Sequence, residues 1–411
     1  MLLAHSASGP QPAAGTLPVD EKWTYSRGRQ TPTGAAARHG FCDLETPAET
    51  HSLMIGTGRI PADQLKATVV DLFAAHGLSP GAARTVASAL VDADLRGVHS
   101  HGVNLVPIYL ERLRNGSVSI EEHARVICEN GATAVLDGRH SLGILTGDEA
   151  MAMAVAKAED YGVGVVVVRH AFHFAGAFRY VKAAARAGCI GIAASNTRPL
   201  MPAPGGSRPV VGNNPLAIAV PRGSGEPLVL DMALSQVAQG RIRIAAKAGR
   251  EIPDSWGTDE EGRPTTDAQE ALDGMLLPIG GYKGFGLAMM VDVLTGVLSG
   301  GEFGSTVRSV YNDVAAPNDC AHLFIALDVG AFIAVDDFIG RVGALADSVV
   351  RGPSINGAAR LVLPGQLEEE HFEASLVDGI DIDPAVMKAL RACVAELDVG
   401  TGASDAPAGN G

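Results

Sequence analysis

The stretch GVGVVVVRHAFHFAG, residues 162–176, decides which kind of α/β fold this chain can adopt. Its β-branched run over 164–168 predicts a buried strand. A Rossmann nucleotide-binding fold would need the glycine pattern G-x-G-x-x-G directly after such a strand, because there the start of the next helix meets the pyrophosphate. This strand runs into RHAFHFAG instead, and the later glycine run GGYKGFG (280–286) has no adequate strand before it. A dinucleotide, if one binds, must therefore be held by a different architecture.

Helix-like and strand-like patterns alternate on both sides of this stretch, which indicates a mixed α/β fold. The chain opens with helical spacing of apolar residues, and Ser79-Pro80 marks the start of the second helix. No repeat of fixed period is present, which excludes solenoids and propellers. The predicted helices are 62–75, 80–95, 176–187, 233–247, 284–298, 335–350 and 383–397, and the predicted strands are 164–168, 190–194, 216–220, 227–231 and 322–328.

Composition limits the partners and the compartment. At about 150 residues per domain, 411 residues suggest two or three lobes with a large core. The 32 Lys and Arg residues against 46 Asp and Glu give a net charge of −14, and no basic run with interleaved aromatics is present, so no nucleic acid partner is expected. No apolar run approaches the roughly 20 residues that span a bilayer, so no membrane is expected. The five cysteines are odd in number and contain no CxxC pair, which predicts reduced thiols in a cytoplasm.

Five segments, in order along the chain, together resemble the malate/L-lactate dehydrogenase family of the non-Rossmann type. They are 93–116 (ADLRGVHSHGVNLVPIYLERLRNG), 173–206, 212–222 (GNNPLAIAVPR), 229–235 (VLDMALS) and 276–300 (LLPIGGYKGFGLAMMVDVLTGVLSG), and the likeness is collinear from about residue 59 to about residue 398. That family also contains ureidoglycolate dehydrogenases, diketogulonate reductases and the reductases of piperideine- and pyrroline-carboxylate. The resemblance implies reduction of a 2-oxo acid or cyclic imino acid with NADH or NADPH. It also implies a homodimer whose main sheet is largely antiparallel and surrounded by helices.

The two ends of the chain differ in composition from the part that resembles the family. Residues 1–58 are rich in Gly, Ala, Pro, Ser and Thr and lack hydrophobic periodicity, and 400–411 have the same character, so both are predicted to be disordered. Residues 59–399 form the predicted dehydrogenase unit. Within it, 59–120 is expected to be helical, and 121–399 to be the mixed α/β part that holds cofactor and substrate.

Two histidines in DLRGVHSHGVNLVPIY, residues 94–109, supply the first candidates for chemistry. An arbitrary His pair in a helix-to-loop turn is more often structural, but glycines on both sides permit a tight, partly exposed backbone that can face a cleft. Reduction of a carbonyl or imine needs a proton as charge develops, and histidine titrates near neutrality. The resemblance implies that His101 donates this proton, with Ser100 and Asp231 completing a relay.

Asp231 allows two compatible interpretations. It closes an apolar strand just before the next predicted helix, so its carboxylate could cap that helix. It could equally orient an imidazole and stabilise the charged form, which makes a histidine a better acid.

The resemblance implies further contacts in this sequence. His173 is expected at both nicotinamide and substrate, and the glycine-flanked Lys283 at the phosphate or ribose of the cofactor. The substrate-binding candidates are Leu105, Tyr109, His173 and Arg198. The cofactor-binding candidates are His173, Phe174, Asn196, Thr197, Asp231, Met232, Ala233, Lys283, Gly365 and Gln366. The sequence predicts no metal site and leaves the choice between NAD and NADP open.

Departures from the family pattern concern the substrate above all. The family typically reads S-H-G-V-x-R, and its arginine grips the substrate carboxylate, but this chain has Leu105 at that position. Either Arg198 substitutes for the missing cation, or the pocket has abandoned the carboxylate and Leu105 supplies apolar surface. His99 stands where the family is usually acidic, His170 where it is commonly asparagine-like, and Gln366 where it usually has glutamate.

Two other function classes remain open at this point. A metal-dependent hydrolase could use the ligand types supplied by His99, His101, His170, His173 and Asp231. A catalytically silent dimer that keeps the fold as a binding module is the other alternative, since one motif residue is changed. Metal analysis tests the first, and a nicotinamide fluorescence titration tests the second.

Overall fold

The fold is given by a computed structural model that describes residues 58–223, 225–355 and 360–401. The predicted disordered segments 1–58 and 400–411 lie outside the described residues, apart from Gly58 and the end of the last helix. The helices are α1 Ala62–Ala75, α2 Pro80–Leu95, α3 Val106–Arg114, α4 Gly143–Tyr161, α5 Phe178–Arg186, α6 Gln239–Lys247, α7 Ala268–Asp273, α8 Tyr282–Asp292, α9 Val335–Val350, α10 Gln366–Asp378 and α11 Pro384–Thr401. The strands are β1 Arg125–Asn130, β2 Thr133–Asp137, β3 Val163–Ala171, β4 Cys189–Ser195, β5 Met201–Pro202, β6 Pro209–Val211, β7 Leu216–Val220, β8 Leu228–Met232, β9 Gly257–Thr258, β10 Met275–Leu276 and β11 Cys320–Asp328.

Helices α1, α2 and α3 begin the folded part and bury their apolar faces against one another. Ser79 caps α2, because its Oγ accepts the N–H of Ala82 at 3.2 Å and Pro80 occupies the first helical position. The end of the chain completes this core: Leu390 of α11 is fully buried in it, and the backbone of Ile60 pairs with that of Ile380. The helical core therefore joins both ends of the described chain.

A seven-stranded sheet forms the centre of the part that the structure describes, in the order β1-β2-β3-β11-β4-β7-β8. Every neighbouring pair is antiparallel except β2 and β3, which run parallel. Helices α4 and α5 pack on this sheet and bury an alanine-rich layer with it. The predicted mixed α/β fold with a largely antiparallel sheet and an N-terminal helical part is confirmed.

The predicted helices 176–187 and 383–397 are Phe178–Arg186 and Pro384–Thr401 in the structure, and two further predicted helices also have different bounds. The predicted helix 233–247 begins only at Gln239, because residues 233–238 form the loop that leaves the sheet after β8. The predicted helix 284–298 begins earlier, at Tyr282, and its last part is a π-helical turn over Val293–Val297. A π turn of this kind is rare and is found mostly as an insertion in a longer helix.

The sequence did not predict β1, β2, α4 or α10. Every residue of β1 is exposed, so this edge strand lacks the apolar alternation that marks a half-buried strand. Its neighbour β2 does alternate but is short, and α4 is rich in alanine and methionine without a sharp apolar stripe.

Two further findings concern membranes and thiols. Within the described ranges, no helix is both long and apolar enough to cross a bilayer. Cys128, Cys189, Cys320 and Cys393 are free thiols. Cys42 lies outside the described residues.

Candidate active site

Two imidazoles from different parts of the fold meet at the junction of the helical part and the sheet. His101 lies in a short 3₁₀ turn, His99–His101, that follows α2, and His173 lies two residues after β3. Their rings stack with centroids 5.5 Å apart and an angle of 25° between planes. The motif pair found in the sequence therefore converges in space.

Asp94, buried at the end of α2, fixes the turn that carries His101. Its two carboxylate oxygens bond to His99 Nδ1 at 2.9 Å and to the N–H of Val103 at 2.7 Å. Gly102 is required here, because a Cβ at this position would lie 2.2 Å from the Asp94 carboxyl atoms. His99 therefore helps to hold the turn in place through its bond to Asp94.

Each of the two stacked rings is held through its Nδ1. Ser100 Oγ lies 2.9 Å from His101 Nδ1, as predicted for the relay, and the Tyr109 hydroxyl lies 2.6 Å from His173 Nδ1. Among the described residues neither ring has a hydrogen-bond partner at Nε2. Two oriented imidazoles with open Nε2 atoms can exchange a proton with a group bound beside them.

Burial keeps both rings neutral at neutral pH. It lowers the pKa of His101 to about 4. Burial, together with the neighbouring His101 and His322, lowers the pKa of His173 to about 3. Because a neutral imidazole accepts a proton, the unliganded site is prepared for the oxidation of an alcohol, and reduction requires that His101 first be protonated.

Asp231 caps a helix, but it is not the helix that the sequence suggested. Its carboxylate accepts the N–H of Phe178 at 2.8 Å and a second bond from the backbone of Ala177, at the start of α5. The prediction that it caps the helix directly after its strand is wrong, since α6 begins only at Gln239. Desolvation by the surrounding protein outweighs these bonds and raises the pKa of Asp231 to about 6, although one side of the residue reaches solvent.

The predicted relay is therefore present in part. Ser100 contacts His101, whereas the hydrogen bonds of Asp231 go to the start of α5, and none joins it to His101 within the described part of the chain. A link between Asp231 and His101 remains a prediction.

Two buried asparagines fasten the loop Asn196–Arg198 to α8. The side chain of Asn196 donates to Asp292 Oδ1 at 3.0 Å and accepts the N–H of Ala321 at 2.7 Å. The side chain of Asn214 accepts the N–H of Thr197 at 2.9 Å and donates to the carbonyl of Ala288 at 2.8 Å. Because Asn196 uses its side chain inside the protein, a cofactor could meet this loop only through its backbone, Thr197 or Arg198.

The start of α8 fits the phosphates of a dinucleotide. Gly280 and Gly281 have φ values of 60° and 65°, and no atom lies within 4 Å of the place a Cβ would occupy on either, so the loop is open. Lys283 is exposed in the first turn, where no acidic residue stands. Unpaired N–H groups, the positive end of the helix dipole and a lysine are the donor set that anions prefer.

Three predicted cofactor contacts have side chains that are engaged elsewhere. Phe174 is 2% exposed and stacks between Tyr180 and His322, so its ring is part of the core. Gln366 accepts the N–H of Leu363 and donates to Glu370, which closes the turn before α10. Gly365, with a φ of 80°, lets that turn pack on β8, because a Cβ there would meet the carbonyl of Val229 at 2.8 Å.

The remaining residues predicted to contact substrate or cofactor differ in how deeply they are buried. Leu105 is 1% exposed and packs in the helical core, which gives no support to the expected contact with substrate, so that contact stays a prediction. Tyr109 is also fully buried and reaches the site only through its hydroxyl at His173. Met232 and Ala233, after Asp231, are partly buried and stay predictions.

Sequence reasoning missed His322, in the middle of β11. This imidazole is fully buried, stacks on Phe174 with centroids 4.5 Å apart, and has no partner for its Nδ1 among the described residues. Burial lowers its pKa to about 3. No sequence signal pointed to it, because only the sheet order brings β11 beside β3.

The four histidines of the hydrolase alternative do not gather into a metal site. His99 bonds to Asp94 and His170 to Asp137, each apart from the stacked pair of His101 and His173. Across the described ranges, no group of three or more His, Cys, Asp or Glu side chains could hold a metal ion. The geometry gives the hydrolase alternative no support.

Comparison with known proteins decides the family. A family model described as malate/L-lactate dehydrogenase matches residues 60–391. The chain belongs to the malate/L-lactate dehydrogenase family. This dehydrogenase is 34% identical over 341 residues to a malate dehydrogenase of Pyrococcus horikoshii, a match that covers 81% of this chain and 94% of that protein.

Two other relatives carry their cofactors in their names. A (2R)-3-sulfolactate dehydrogenase (NADP⁺) of Chromohalobacter salexigens is 34% identical over 318 residues, covering 77% of this chain and 92% of the relative. A ureidoglycolate dehydrogenase (NAD⁺) of Escherichia coli is 34% identical over 329 residues, covering 79% and 92%. This member of the malate/L-lactate dehydrogenase family is an NAD(P)-dependent oxidoreductase.

Solved structures agree with the family assignment. The sulfolactate dehydrogenase of Methanocaldococcus jannaschii superposes with a TM-score of 0.78 at 34% identity, covering 83% of this chain and 97% of that one. A Δ1-piperideine-2-carboxylate reductase of Pseudomonas syringae pvar. tomato superposes with a TM-score of 0.73 at 30% identity, covering 82% and 100%. The non-Rossmann fold inferred from the stretch 162–176 is thus the fold of the family.

Proposed function

We propose that this dehydrogenase transfers hydride between NAD(P)H and a 2-oxo acid or cyclic imino acid, with His101 exchanging a proton with the reacting oxygen or nitrogen. The stacked pair of His101 and His173 carries the proposal, because both Nδ1 atoms are held while both Nε2 atoms are open. The bound nicotinamide supplies or accepts the hydride. The side chains of the protein then have to orient the substrate and move one proton.

The proton step follows from the neutral state of His101. In oxidation of a 2-hydroxy acid, Nε2 of His101 accepts the hydroxyl proton as the hydride leaves carbon. In reduction, the protonated ring donates that proton to the oxygen or nitrogen that gains charge. Ser100 at Nδ1 holds the ring in one orientation through the cycle, and Tyr109 does the same for His173.

Arg198 supports a carboxylate-bearing substrate. It is partly buried, is the last residue of the loop fastened to α8, and has no ion pair with an acidic residue of the described chain. Burial lowers the pKa of its guanidinium, which nevertheless stays charged in water. Because Leu105 lies in the core, we assign the substrate carboxylate to Arg198.

The test is a spectrophotometric screen of 2-oxo acids, cyclic imino acids and 2-hydroxy acids with both NAD and NADP cofactors. We expect turnover of at least one acid, and nicotinamide fluorescence should report cofactor binding. Cofactor binding without turnover of any of these classes would favour the silent binding dimer. Activity that requires an added metal and no nicotinamide would favour the hydrolase.

We also propose that the protein is a homodimer and that it is located in the cytoplasm. Helix α8 and the π turn after it expose a row of large apolar side chains, and a contiguous exposed apolar patch is typical of an interface. The exposed residues are Tyr282, Leu287, Met289, Met290, Val293, Leu294, Val297 and Leu298. Free thiols support a reducing compartment.

Light scattering tests the dimer. The double change Met290→Glu and Leu294→Glu should yield monomers, because two charges would have to be buried in the interface. Ile120→Glu, at an exposed apolar residue away from α8, is the matched control and should leave the mass unchanged. A wild-type protein that is monomeric at micromolar concentration would contradict the proposal.

A further inference from the structure

Helix α6 and the segment that follows it enclose a small surface cavity of about 230 Å³. Two arginines, Arg241 and Arg250, and one tryptophan, Trp256, contribute to its lining. The lining residues are different from those of the candidate active site. Pockets for drug-sized ligands usually measure roughly 300–1,000 Å³, so this cavity suits a smaller molecule or one end of a larger one.

The way α6 ends explains why the two arginines line the same cavity. Arg241, Ile244 and Ala245 are three and four residues apart, so they share one face of the helix. Gly249, with a φ of 59°, turns the chain after the helix, and the N–H of Arg250 bonds back to the carbonyl of Ala245 at 3.0 Å. This turn returns Arg250 to the face that carries Arg241.

Neither arginine has a counter-charge among the residues that the structure describes. Their side chains form no ion pair and donate no hydrogen bond there, and Glu251 is the one acidic residue in the lining. Although the chain has a net charge of −14, the segment 239–250 has no acidic residue and includes the basic residues Arg241, Arg243, Lys247 and Arg250. Unpaired guanidiniums on both sides of a cavity favour a bound anion.

Trp256 forms the aromatic wall of the cavity, and its backbone is fixed. Its N–H bonds to the carbonyl of Pro253 at 3.0 Å, and its carbonyl accepts the N–H of Leu277 at 3.1 Å. One side of the indole packs on the apolar core, and the residue remains partly exposed. Within the described ranges no ring or cation stacks on it, and its indole N–H donates no hydrogen bond. An indole held in this way can stack on a flat ring such as a nucleobase.

We propose that this cavity binds a nucleoside monophosphate, whose base stacks on Trp256 while its phosphate accepts hydrogen bonds from Arg241 and Arg250. The guanidinium group matches phosphate because it presents paired N–H donors in a fixed plane. Ile244 and Ile252 supply apolar surface beside the base. The inference uses no residue of the candidate active site.

A nucleoside phosphate has two sources for this enzyme. Trp256 bonds to Leu277, three residues before the open glycine pair Gly280 and Gly281 at the start of α8, so the adenosine end of a nicotinamide cofactor is one source. The other is a free nucleotide. The inference rests on the proposed function only if the cofactor is the source.

Tryptophan fluorescence tests the inference on the full chain. The sequence contains two tryptophans, so Trp23→Phe leaves Trp256 as the single reporter. Adenosine 5′-monophosphate (AMP) should change the fluorescence of this variant in a saturable way. Adenosine and inorganic phosphate, which each carry one part of the ligand, should bind at least about tenfold more weakly.

Substitution of the arginines separates the phosphate contacts from the stacking. In the Trp23→Phe protein, Arg250→Gln should weaken AMP binding about 10- to 100-fold, as loss of charge-assisted hydrogen bonds implies, and Arg241→Gln should act in the same direction. Arg243→Gln is the matched control. Arg243 lies on the same helix about 200° around the axis from Arg241 and does not line the cavity, so AMP affinity should stay unchanged.

Competition with NAD and NADP identifies the source. Displacement of AMP from Trp256 by either cofactor, with a higher cofactor KM in Arg250→Gln, assigns the cavity to the adenosine end of the cofactor. Bound AMP that leaves cofactor affinity unchanged assigns it to a free nucleotide.

Four results would overturn the inference. They are no saturable change of fluorescence up to millimolar AMP, adenosine or phosphate alone binding as tightly as AMP, no loss of AMP affinity in Arg250→Gln, and an equal loss in Arg243→Gln. Each of these leaves the proposed hydride transfer intact. Failure of the proposed function would instead appear as absence of nicotinamide-linked turnover.

Discussion

The protonation state of His101 determines how this site works at the scale of single residues. Burial lowers its pKa to about 4, and no carboxylate among the described residues bonds to the ring to counter that effect. The free enzyme therefore holds a neutral imidazole at pH 7. An anionic substrate would favour the charged ring, so protonation and substrate binding assist each other in the reducing direction.

The first prediction concerns pH. The value of kcat/KM reports ionisations of the free enzyme, and above its pKa the protonated fraction of His101 falls tenfold for each pH unit. For reduction, kcat/KM should thus fall about tenfold per unit between roughly pH 6 and pH 8, whereas for oxidation it should not fall. Initial rates in both directions measure this, with cofactor affinity followed by fluorescence as the control. A reduction rate that is flat across the interval would contradict a neutral His101.

The second prediction concerns Leu105. The missing family arginine suggested that an arginine here would restore carboxylate binding, but Leu105 is 1% exposed in an apolar core. Leu105→Arg should therefore destabilise the fold by about 3 kcal/mol or more, since an unpaired charge would be buried. Leu105→Met, which conserves volume, should cost less than about 1.5 kcal/mol. Urea unfolding of both variants measures the difference. Equal midpoints with a lower substrate KM in Leu105→Arg would mean that this side chain faces the pocket.

Several site residues could be identified from the sequence, and others could not. Ser100, His101 and His173 are read from short motifs that also meet in the structure. The bond between Tyr109 and His173 and the stacking of His322 on Phe174 depend on long-range packing, which no local pattern records. Functional side chains that act through distant neighbours therefore require the fold.

At the scale of elements, the site depends on a network of charges that joins three helices. Lys182 of α5 and Arg96, the residue directly after α2, are both nearly buried and bond to Glu369 of α10 at 2.8 and 2.6 Å. The Arg96 guanidinium also lies over the rings of Phe178 and Phe372. Asp231 caps the start of α5 at Phe178, and Lys182 lies in the middle of the same helix, so the cap and the network together fix the helix whose start lies beside the candidate site.

The third prediction removes the shared carboxylate. Glu369→Gln should destabilise the protein on the order of 3 kcal/mol, because Arg96 would keep only Asp92 and Lys182 only Glu226. Glu370→Gln, next in the chain, is the control. Its carboxylate pairs with Arg360 at the surface, so the change should cost about 1 kcal/mol or less. Chemical unfolding measures both, and equal losses would refute a special role for the network.

The pKa of Glu369 adds a pH dependence to this network. Despite desolvation, the bonds and charges of Lys182 and Arg96 hold the pKa of Glu369 below its usual range. The stability that it contributes is therefore full above the unfolded pKa, near 4.5, and is lost as pH falls through the lower folded value. Acid unfolding of wild type and Glu369→Gln should converge at low pH.

Helices and strands were predicted correctly where one face is buried and the other is exposed. Helices α1, α2 and α9 were predicted with their observed bounds, because each has a clear periodic pattern or a cap. Strand β1, exposed along its length, has no such pattern. The place of β11 between β3 and β4 is set by pairing across more than a hundred residues, which local periodicity does not encode.

At the scale of the whole molecule, the first and last segments of the described chain pack against each other. Ile60 pairs with Ile380, and α11 packs into the core that α1 and α2 begin. A cut directly before this pairing would keep every residue of the described helical core.

The fourth prediction follows from this contact between the two ends of the described chain. A protein that begins at Gly58 should retain the turnover and thermal midpoint of the full chain, because it keeps every residue of the described helical core, which begins at Ile60. One that begins at Pro61 should lose stability, since the pairing with Ile380 and the buried Ile60 side chain would be gone. Thermal unfolding and initial rates test both. A large drop in either quantity on deletion of residues 1–57 would show that the extension is structural.

The central claim is that His101 exchanges the proton during hydride transfer, and His101→Ala tests it most directly. With hydride transfer rate-limiting, kcat should fall about 10²- to 10⁴-fold while cofactor affinity measured by nicotinamide fluorescence stays near wild type. His170→Asn is the matched control, because His170 bonds to Asp137 and asparagine tolerates its φ of 48°. That variant should turn over at close to the wild-type rate. A His101→Ala enzyme that keeps more than about a tenth of wild-type kcat, or loses no more than His170→Asn, would contradict the account.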